Sequence, residues 1–450
     1  MLYLSLSILP VGAKSVFAQK PELTDQNNLV NRASPSEINR TKPDLVIHDP
    51  TSGVPREWTD PDFFWLNEHV HVISLGGDDL LATWTSERLV PQQVLRVVAS
   101  RSHDNGFSWS MPSIIDGEGS TAAWQVPIVN SSGRVYLFYN YNDRQGIGGF
   151  IGGLRCRVSN DGGKSWSPPT DINFPRSIID NPDIGAATMW ITPSTPIFTE
   201  NGEALFAYTR WADNENIPFG KGEIRDRYSH IEIMKFENLN DNPNANEIKF
   251  SWLNVDDPII IPHEKDSLSS FAQEPYWVRL PDGRLFMTMR TNRGQTWYVV
   301  SKDKEGEIWS SPQPMRYKDG GEIMLNPVTP CPIFELNSGD YLFLFNNNDG
   351  YVFGSQRRWD SKNRRPAFIS KGQYIPDAEQ PIWWSQPLLF IDNDNIPWGP
   401  PGKGRLEAAT YPSMTHANGK DILWYPDRKG FVVGKYISNQ ILESMKVPVK

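Results

Sequence analysis

The chain has 450 residues, of which 12% are aromatic, with 17 Trp, 34 Gly and 37 Pro. That profile excludes a long-helix protein and fits many short strands joined by turns, in one large β domain or two to three smaller ones. The formal net charge of -9 argues against nucleic acid or an anionic membrane surface as the main partner, though a local arginine cluster can still hold a small anion. The chain opens on an apolar run, Leu2 to Val11, followed by Val16-Phe17-Ala18 before Gln19. This predicts a signal peptide over 1–18 and a secreted or periplasmic protein. Residues 19–43 are polar and rich in Asn, Ser and Pro, as expected of a flexible linker. Residues 44–450 are expected to form a single domain. Its first segment, 44–68, carries Trp58, Phe63, Phe64 and Trp65 as an apolar anchor and is expected to complete the last repeat unit. No later stretch is long and apolar enough to span a bilayer.

From there a rhythm of strand, turn and strand runs along the chain. Val70–Leu75 and Leu80–Thr85 flank Gly76-Gly77-Asp78-Asp79, and Ile197–Thr199 and Glu203–Thr209 flank Glu200-Asn201-Gly202. Tyr276–Leu280 and Arg284–Arg290 flank Pro281-Asp282-Gly283, and Ile333–Leu336 and Tyr341–Asn346 flank Asn337-Ser338-Gly339-Asp340. Such turns between apolar runs predict hairpins. Superimposed on them is a repeat, Ser-x-Asp-x-Gly-x-x-Trp. It occurs at Ser102–Trp109, at Ser159–Trp166 and, with one residue inserted, at Ser301–Trp309. The Asp bonds nearby amides and the Gly accepts positive φ, so each copy predicts a tight turn with a Trp packed on it. Six units begin near 69, 123, 188, 270, 328 and 408. None can bury both faces alone, so they stack radially, which predicts an all-β, six-bladed β-propeller. The stretch 210–250 is polar and reads as an insertion projecting from one blade.

Two cysteines, Cys156 and Cys331, permit a disulfide on export but do not require one. No Cys/His spacing suggests zinc, and no Gly-rich phosphate loop opens a helix. The sequence therefore calls for no cofactor and no metal, and nothing specifies calcium.

Over roughly residues 65–440 the chain resembles the sialidase superfamily. The resemblance rests on the three Asp-box repeats, on Gln273-Glu274-Pro275 followed by Asp282-Gly283-Arg284-Leu285 and Arg290, and on Asn326-Pro327. It continues with Arg364-Arg365-Pro366-Ala367-Phe368-Ile369-Ser370 and with Tyr411-Pro412-Ser413-Met414 before Asn418-Gly419. It implies Tyr411 as nucleophile and Glu274 as its base. The logic is electrostatic: a sialic acid is attacked at a carbon that bears a carboxylate, which repels a carboxylate nucleophile but not a phenol. It also implies that Arg290 and Arg365 (or Arg364) clamp the substrate carboxylate through their planar forks. Plainer readings stand beside these: an ion pair across a hairpin for Glu274 and Arg290, surface charges for Arg364 and Arg365, and a core aromatic for Tyr411.

The first unit departs from the family. Where sialidases carry an Arg-Ile-Pro segment, this chain reads His69-Val70-His71-Val72-Ile73-Ser74. Arg56 and Arg88 are out of frame. Glu87, after Leu80-Leu81-Ala82-Thr83, is the candidate general acid, ahead of Asp60 and Asp62. His69 and His71, spaced to share a strand face, are candidate substrate-binding residues or satisfied core histidines. The leading expectation is a secreted exo-glycoside hydrolase acting on a terminal acidic sugar of a glycan or glycoconjugate. The alternatives are a uronate-polysaccharide lyase using His, Tyr and Arg, and a non-catalytic carbohydrate-binding propeller.

Overall fold

Each turn signal becomes a corner of an antiparallel sheet in the computed structural model, which describes residues 42–51, 65–88, 93–216, 227–263, 266–352, 354–399 and 404–450. The expected signal peptide, most of the linker, and Arg56, Trp58, Asp60, Asp62, Phe63 and Phe64 lie outside the described residues. Blade I comprises Trp65–Gly76, Asp79–Arg88, Val94–Ser102 and Ser113–Asp116, and blade II comprises Thr121–Val129, Val135–Asn142, Gly153–Ser159 and Thr170–Ile172. Blade III sets Trp190–Ile191 and Ile197–Phe198 against Ala204–Trp211, followed by Ser229–Phe236 and Phe250–Trp252. Blade IV comprises Gln273–Arg279, Leu285–Arg290, Trp297–Val300 and Gln313–Pro314. In blade V, Ile333–Glu335, Tyr341–Phe345 and Ala367–Tyr374 are followed by Ile382–Trp384 and Leu388–Ile391, both paired with Ala367–Tyr374. Blade VI is Ser413–Ala417, Lys420–Asp427 and Phe431–Ile437, and its outer strand is the N-terminal Leu45–His48, with Leu45 opposite Gly434. The six blades form a β-propeller. Its apolar clusters lie between neighbouring blades, as in the group that joins Leu45, Ile47, Val70 and Trp84 to Trp424 and Val432.

The Asp boxes connect the third and fourth strands of blades I, II and IV. In the first, Asp104 accepts from the backbone N–H of Ser108 at 2.8 Å, Ser102 Oγ accepts from the Gly106 N–H at 2.8 Å, and Trp109 Nε1 donates to the Gly106 carbonyl at 2.9 Å. The second box repeats the pattern through Asp161, Ser165, Ser159 and Gly163. The turns also join blades: Gly106 of blade I packs on Trp424 of blade VI, and Gly163 of blade II packs on Leu81 of blade I.

One sequence expectation is corrected. The stretch 210–250 is not an insertion throughout. Ser229–Phe236 is a full blade strand, paired with Ala204–Trp211 from Trp211↔Ser229 to Ala204↔Phe236. It buries His230 and Glu232: His230 Nε2 bonds Glu232 Oε1 at 2.8 Å, and Glu232 Oε2 accepts from Arg210 Nη1 at 3.1 Å and from the Tyr208 hydroxyl. Residues 217–226 lie outside the described residues. Cys156 and Cys331 are free thiols, each buried in a different inter-blade cluster.

What positions the site is a repeated irregularity of the innermost strands. In blade I the register runs Glu68↔Thr85 and then His71↔Thr83, in blade II Ala123↔Asn140 and then Val126↔Phe138, and in blade IV Gln273↔Arg290 and then Tyr276↔Thr288. Each is one extra residue on the inner strand, a β-bulge, which bends the strand and re-aims its side chains. Each bulge holds a non-glycine residue at positive φ: His69 at 59°, Trp124 at 59° and Glu274 at 48°. Tyr411, two residues ahead of the first strand of blade VI, has φ 58°. Backbone in this region costs about 1–3 kcal/mol per residue and concentrates at functional sites.

Candidate active site

Three of these residues, Trp124, Glu274 and Tyr411, meet at a cavity of about 230 Å³. Glu274, from the blade IV bulge, is held there by its own N–H, which donates to Thr209 Oγ1 at 2.5 Å. Arg290 is opposite, at the end of the neighbouring strand, because the register pairs Gln273 with it. Tyr411 arrives from blade VI. Its hydroxyl donates to Glu274 Oε1 at 2.8 Å, Arg290 pairs with the same oxygen, and Arg290 Nη1 lies 3.5 Å from the Tyr411 hydroxyl. All three are buried, and Glu274 Oε2 and Arg290 Nε have no hydrogen-bond partner among the described residues. Burial and the neighbouring Glu274 carboxylate push the Tyr411 phenol well up, against the opposing pull of Arg290 and Arg364. Tyr411 is therefore protonated at rest, with an acceptor already on its proton.

Arg364 also lines the cavity, tethered by Nη2 to the Val328 carbonyl at 2.8 Å. Burial and then the like charge of Arg290 hold its guanidinium below the usual value. Arg365 does not join it. Its backbone is extended, with φ -153° and ψ 156°, so its side chain points to the opposite side. There it makes a two-pronged, buried pair with Asp392 at 3.0 and 2.9 Å. Of the two adjacent arginines, the structure places Arg364 at the cavity and corrects the assignment of Arg365 as a substrate-binding residue.

Glu87 lines the cavity at the end of the second strand of blade I and accepts from Gln93 Nε2 at 2.7 Å. Burial and then Glu68 raise its carboxyl pKa, while Gln93, Lys429 and Arg405 oppose them. His69 and His71 do not line the cavity. Their rings touch each other, Nε2 to Nε2 at 3.3 Å, and the His69 ring lies edge-on against Trp124 and 6.0 Å from the Tyr411 ring. Burial holds both histidines below their usual pKa, His71 at about 3, so they are neutral packing beneath the floor. The two rings lie together, as their spacing predicts, but in buried packing against Trp124 and away from the cavity wall.

Several lining residues carry no sequence motif: Glu68, Trp124, Trp211, Arg405 and Lys429. Lys429 pairs with Glu68 and lies 5.6 Å from the centre of the Tyr411 ring. Beneath them Glu407 is buried, and Lys429, Arg405 and Arg364 draw its pKa down against the opposing effect of burial. The single legible cue for the cations was a surplus of basic residues late in an acidic chain, which does not select positions. Among the described residues, no group of three His, Cys, Asp or Glu side chains is placed to hold a metal ion.

The BNR repeat-like domain family matches residues 78–422, more than half of the chain. The chain belongs to this family, as a sialidase-like BNR-repeat β-propeller. Solved structures share the fold. The Hadza microbial sialidase Hz136 is 16% identical, with a TM-score of 0.54, over 83% of this chain and 66% of that one. The NanB sialidase from Streptococcus pneumoniae is 12% identical, with a TM-score of 0.57, over 91% of this chain and 73% of that one. A protein of unknown function from Dyadobacter fermentans is 13% identical, with a TM-score of 0.55, over 88% and 96%. At such identities the likeness is one of fold. No curated protein sequence matches the chain. Among the described residues of this BNR-repeat propeller, no helix is long and apolar enough to cross a membrane.

Proposed function

We propose that this protein is an exported exo-acting glycoside hydrolase that removes a terminal acidic sugar from a glycan, of sialidase type, with retention through Tyr411. The observation that carries this reading is the Tyr411–Glu274 hydrogen bond of 2.8 Å beside Arg290 and Arg364 in one cavity. Arg364, with Arg290, neutralises the sugar carboxylate and sets the anomeric carbon over the phenol oxygen. Glu274 takes the phenol proton as that oxygen attacks, which relieves the cost of ionising a buried tyrosine. Glu87, whose pKa is raised by burial and Glu68, gives its proton to the departing oxygen. One C–O bond forms to Tyr411 and the glycosidic C–O bond breaks. In the second half, ionised Glu87 takes a proton from water, the water oxygen attacks the anomeric carbon, and Tyr411 leaves and recovers its proton from Glu274.

The lyase reading needs a histidine facing substrate, and the buried, neutral packing of His69 and His71 gives it no support. The test is release of free sialic acid from a mixed sialoside pool by wild type and by Tyr411→Phe. We expect release by the wild type and a fall of about 10³-fold or more in the variant. Equal turnover by the variant would remove Tyr411 as nucleophile, and no release by folded wild type would overturn the sialidase-type reading.

A further inference from the structure

Among the described residues four cations line the cavity, and they fall into two groups. Arg290 and Arg364 sit with Tyr411 and Glu274. Lys429 instead pairs with Glu68, and Lys429 and Arg405 line the cavity near enough to Glu87 to act on its charge, as Arg290 and Arg364 do not. The first group is accounted for by the carboxylate of the terminal sugar. Lys429 is engaged by Glu68. Arg405 is different. Its ion pair with Glu407 is long, 3.5 Å, its side chain is 34% exposed, and its Nε has no partner among the described residues. Its backbone, by contrast, is fixed: Arg405 and Trp398 exchange two backbone hydrogen bonds of 2.8 and 2.9 Å. Trp398 in turn packs against Phe431 and against Gly430, where an added Cβ would meet it at 2.4 Å. A guanidinium that is loosely held on a rigid base, at a cavity wall, is preorganised for an anion from outside.

Glu87 fixes which end of the substrate this is. An acid must reach the leaving oxygen, so the cations that act on Glu87 lie on the leaving-group side. We propose that Arg405, with Lys429 behind it, binds an anionic group of the leaving sugar, so that the preferred substrate is acidic on both sides of the scissile bond. Arg405 is then a specificity-determining residue. The inference rests on the hydrolase reading and on Glu87 as its acid.

The experiment separates the two. Binding of sialyl-lactose and of disialyl-lactose is measured by calorimetry on Tyr411→Phe, alone and combined with Arg405→Gln or Arg405→Lys. A third ligand, sialyl-lactose sulfated on the sugar next to the scissile bond, distinguishes a general anion site from a carboxylate site. Disialyl-lactose should bind about tenfold more tightly than sialyl-lactose. Arg405→Gln should bring the ratio to about one, and Arg405→Lys should restore part of it. A ratio near one without the Arg405 change, a ratio that survives Arg405→Gln, or no binding of any of the glycosides would overturn the proposal. Turnover of sialyl-lactose by wild type tests the hydrolase reading by itself, whatever the ratio.

Discussion

At the residue scale, Glu87 is where the local electrostatics make the firmest demand. Burial and the neighbouring Glu68 raise its pKa, and Gln93, Lys429 and Arg405 only moderate the rise. A general acid acts in its protonated form. With Glu87 as the acid of the proposed mechanism, activity is expected below this raised pKa and is expected to decline as pH climbs through it. We expect kcat/KM to show that alkaline decline in the wild type and to lose it in Glu87→Gln. The variant should fall by about 10²–10⁴-fold on sialyl-lactose, and by much less on a nitrophenyl sialoside, whose leaving group needs no proton. A pH–rate profile of the variant that keeps the wild-type decline would assign it to another group. Glu87, Tyr411, Glu274 and Arg290 were picked out in the sequence by the family resemblance, and all four line the cavity. The choice between Arg364 and Arg365 was not legible there, since neighbours of identical chemistry differ only in which way an extended backbone turns them. Arg405, Lys429 and Glu68 were illegible for another reason: they reach the cavity from opposite ends of the chain, and no local pattern marks them.

At the scale of elements, two devices build the blades: the bulged inner strand and the Asp-box turn. The turns were read from the sequence because Asp and Gly announce them, and all six units begin close to where the hairpin rhythm places them. Bulges leave no such mark. His69, Trp124 and Glu274 are ordinary strand residues by type, so the extra residue that re-aims each of them is set by tertiary packing. Blade III was misread for a related reason. The strand Ser229–Phe236 buries His230 and Glu232 against Arg210, and a satisfied buried charge looks polar in a sequence. The Asp-box turn can be tested at Gly106, which has φ 88° and where an added Cβ would meet Trp424 at 2.6 Å. Gly133 has a similar φ of 84° with nothing within 4 Å of the added Cβ. Gly133→Ala should cost about 1–2 kcal/mol from backbone strain alone. Gly106→Ala should cost a further 1–3 kcal/mol, roughly, from forced repacking between blades I and VI. Urea unfolding of the two variants gives the difference, and equal costs would mean that the turn does not brace the neighbouring blade.

At the scale of the molecule, the ring closes through a strand that the chain supplies first. Leu45–His48 pairs with Phe431–Ile437, and Leu45 and Ile47 are buried between blades VI and I, beside Val70, Trp84 and Trp424. The same seam runs under the site. Tyr411 and Lys429 come from the blade VI side, while Glu68 and Glu87 come from blade I. A closed ring is thus a condition for bringing Tyr411 and Glu87 to one cavity. Ile47→Ala should remove about 2–5 kcal/mol of packing, and Ile47→Asp more, because its charge would be buried without a partner. The readout is sialoside turnover measured beside thermal unfolding. Both variants should melt at lower temperature than wild type, with Ile47→Asp the lower. Turnover should fail in Ile47→Asp below its melting temperature, as the seam opens before the blades do. Val46, on the same strand, is 49% exposed, so Val46→Asp keeps the strand and adds the same charge to solvent. It should melt and turn over like wild type. If it behaves as Ile47→Asp does, the strand matters for something other than the apolar seam; if neither changes anything, the ring does not depend on this closure.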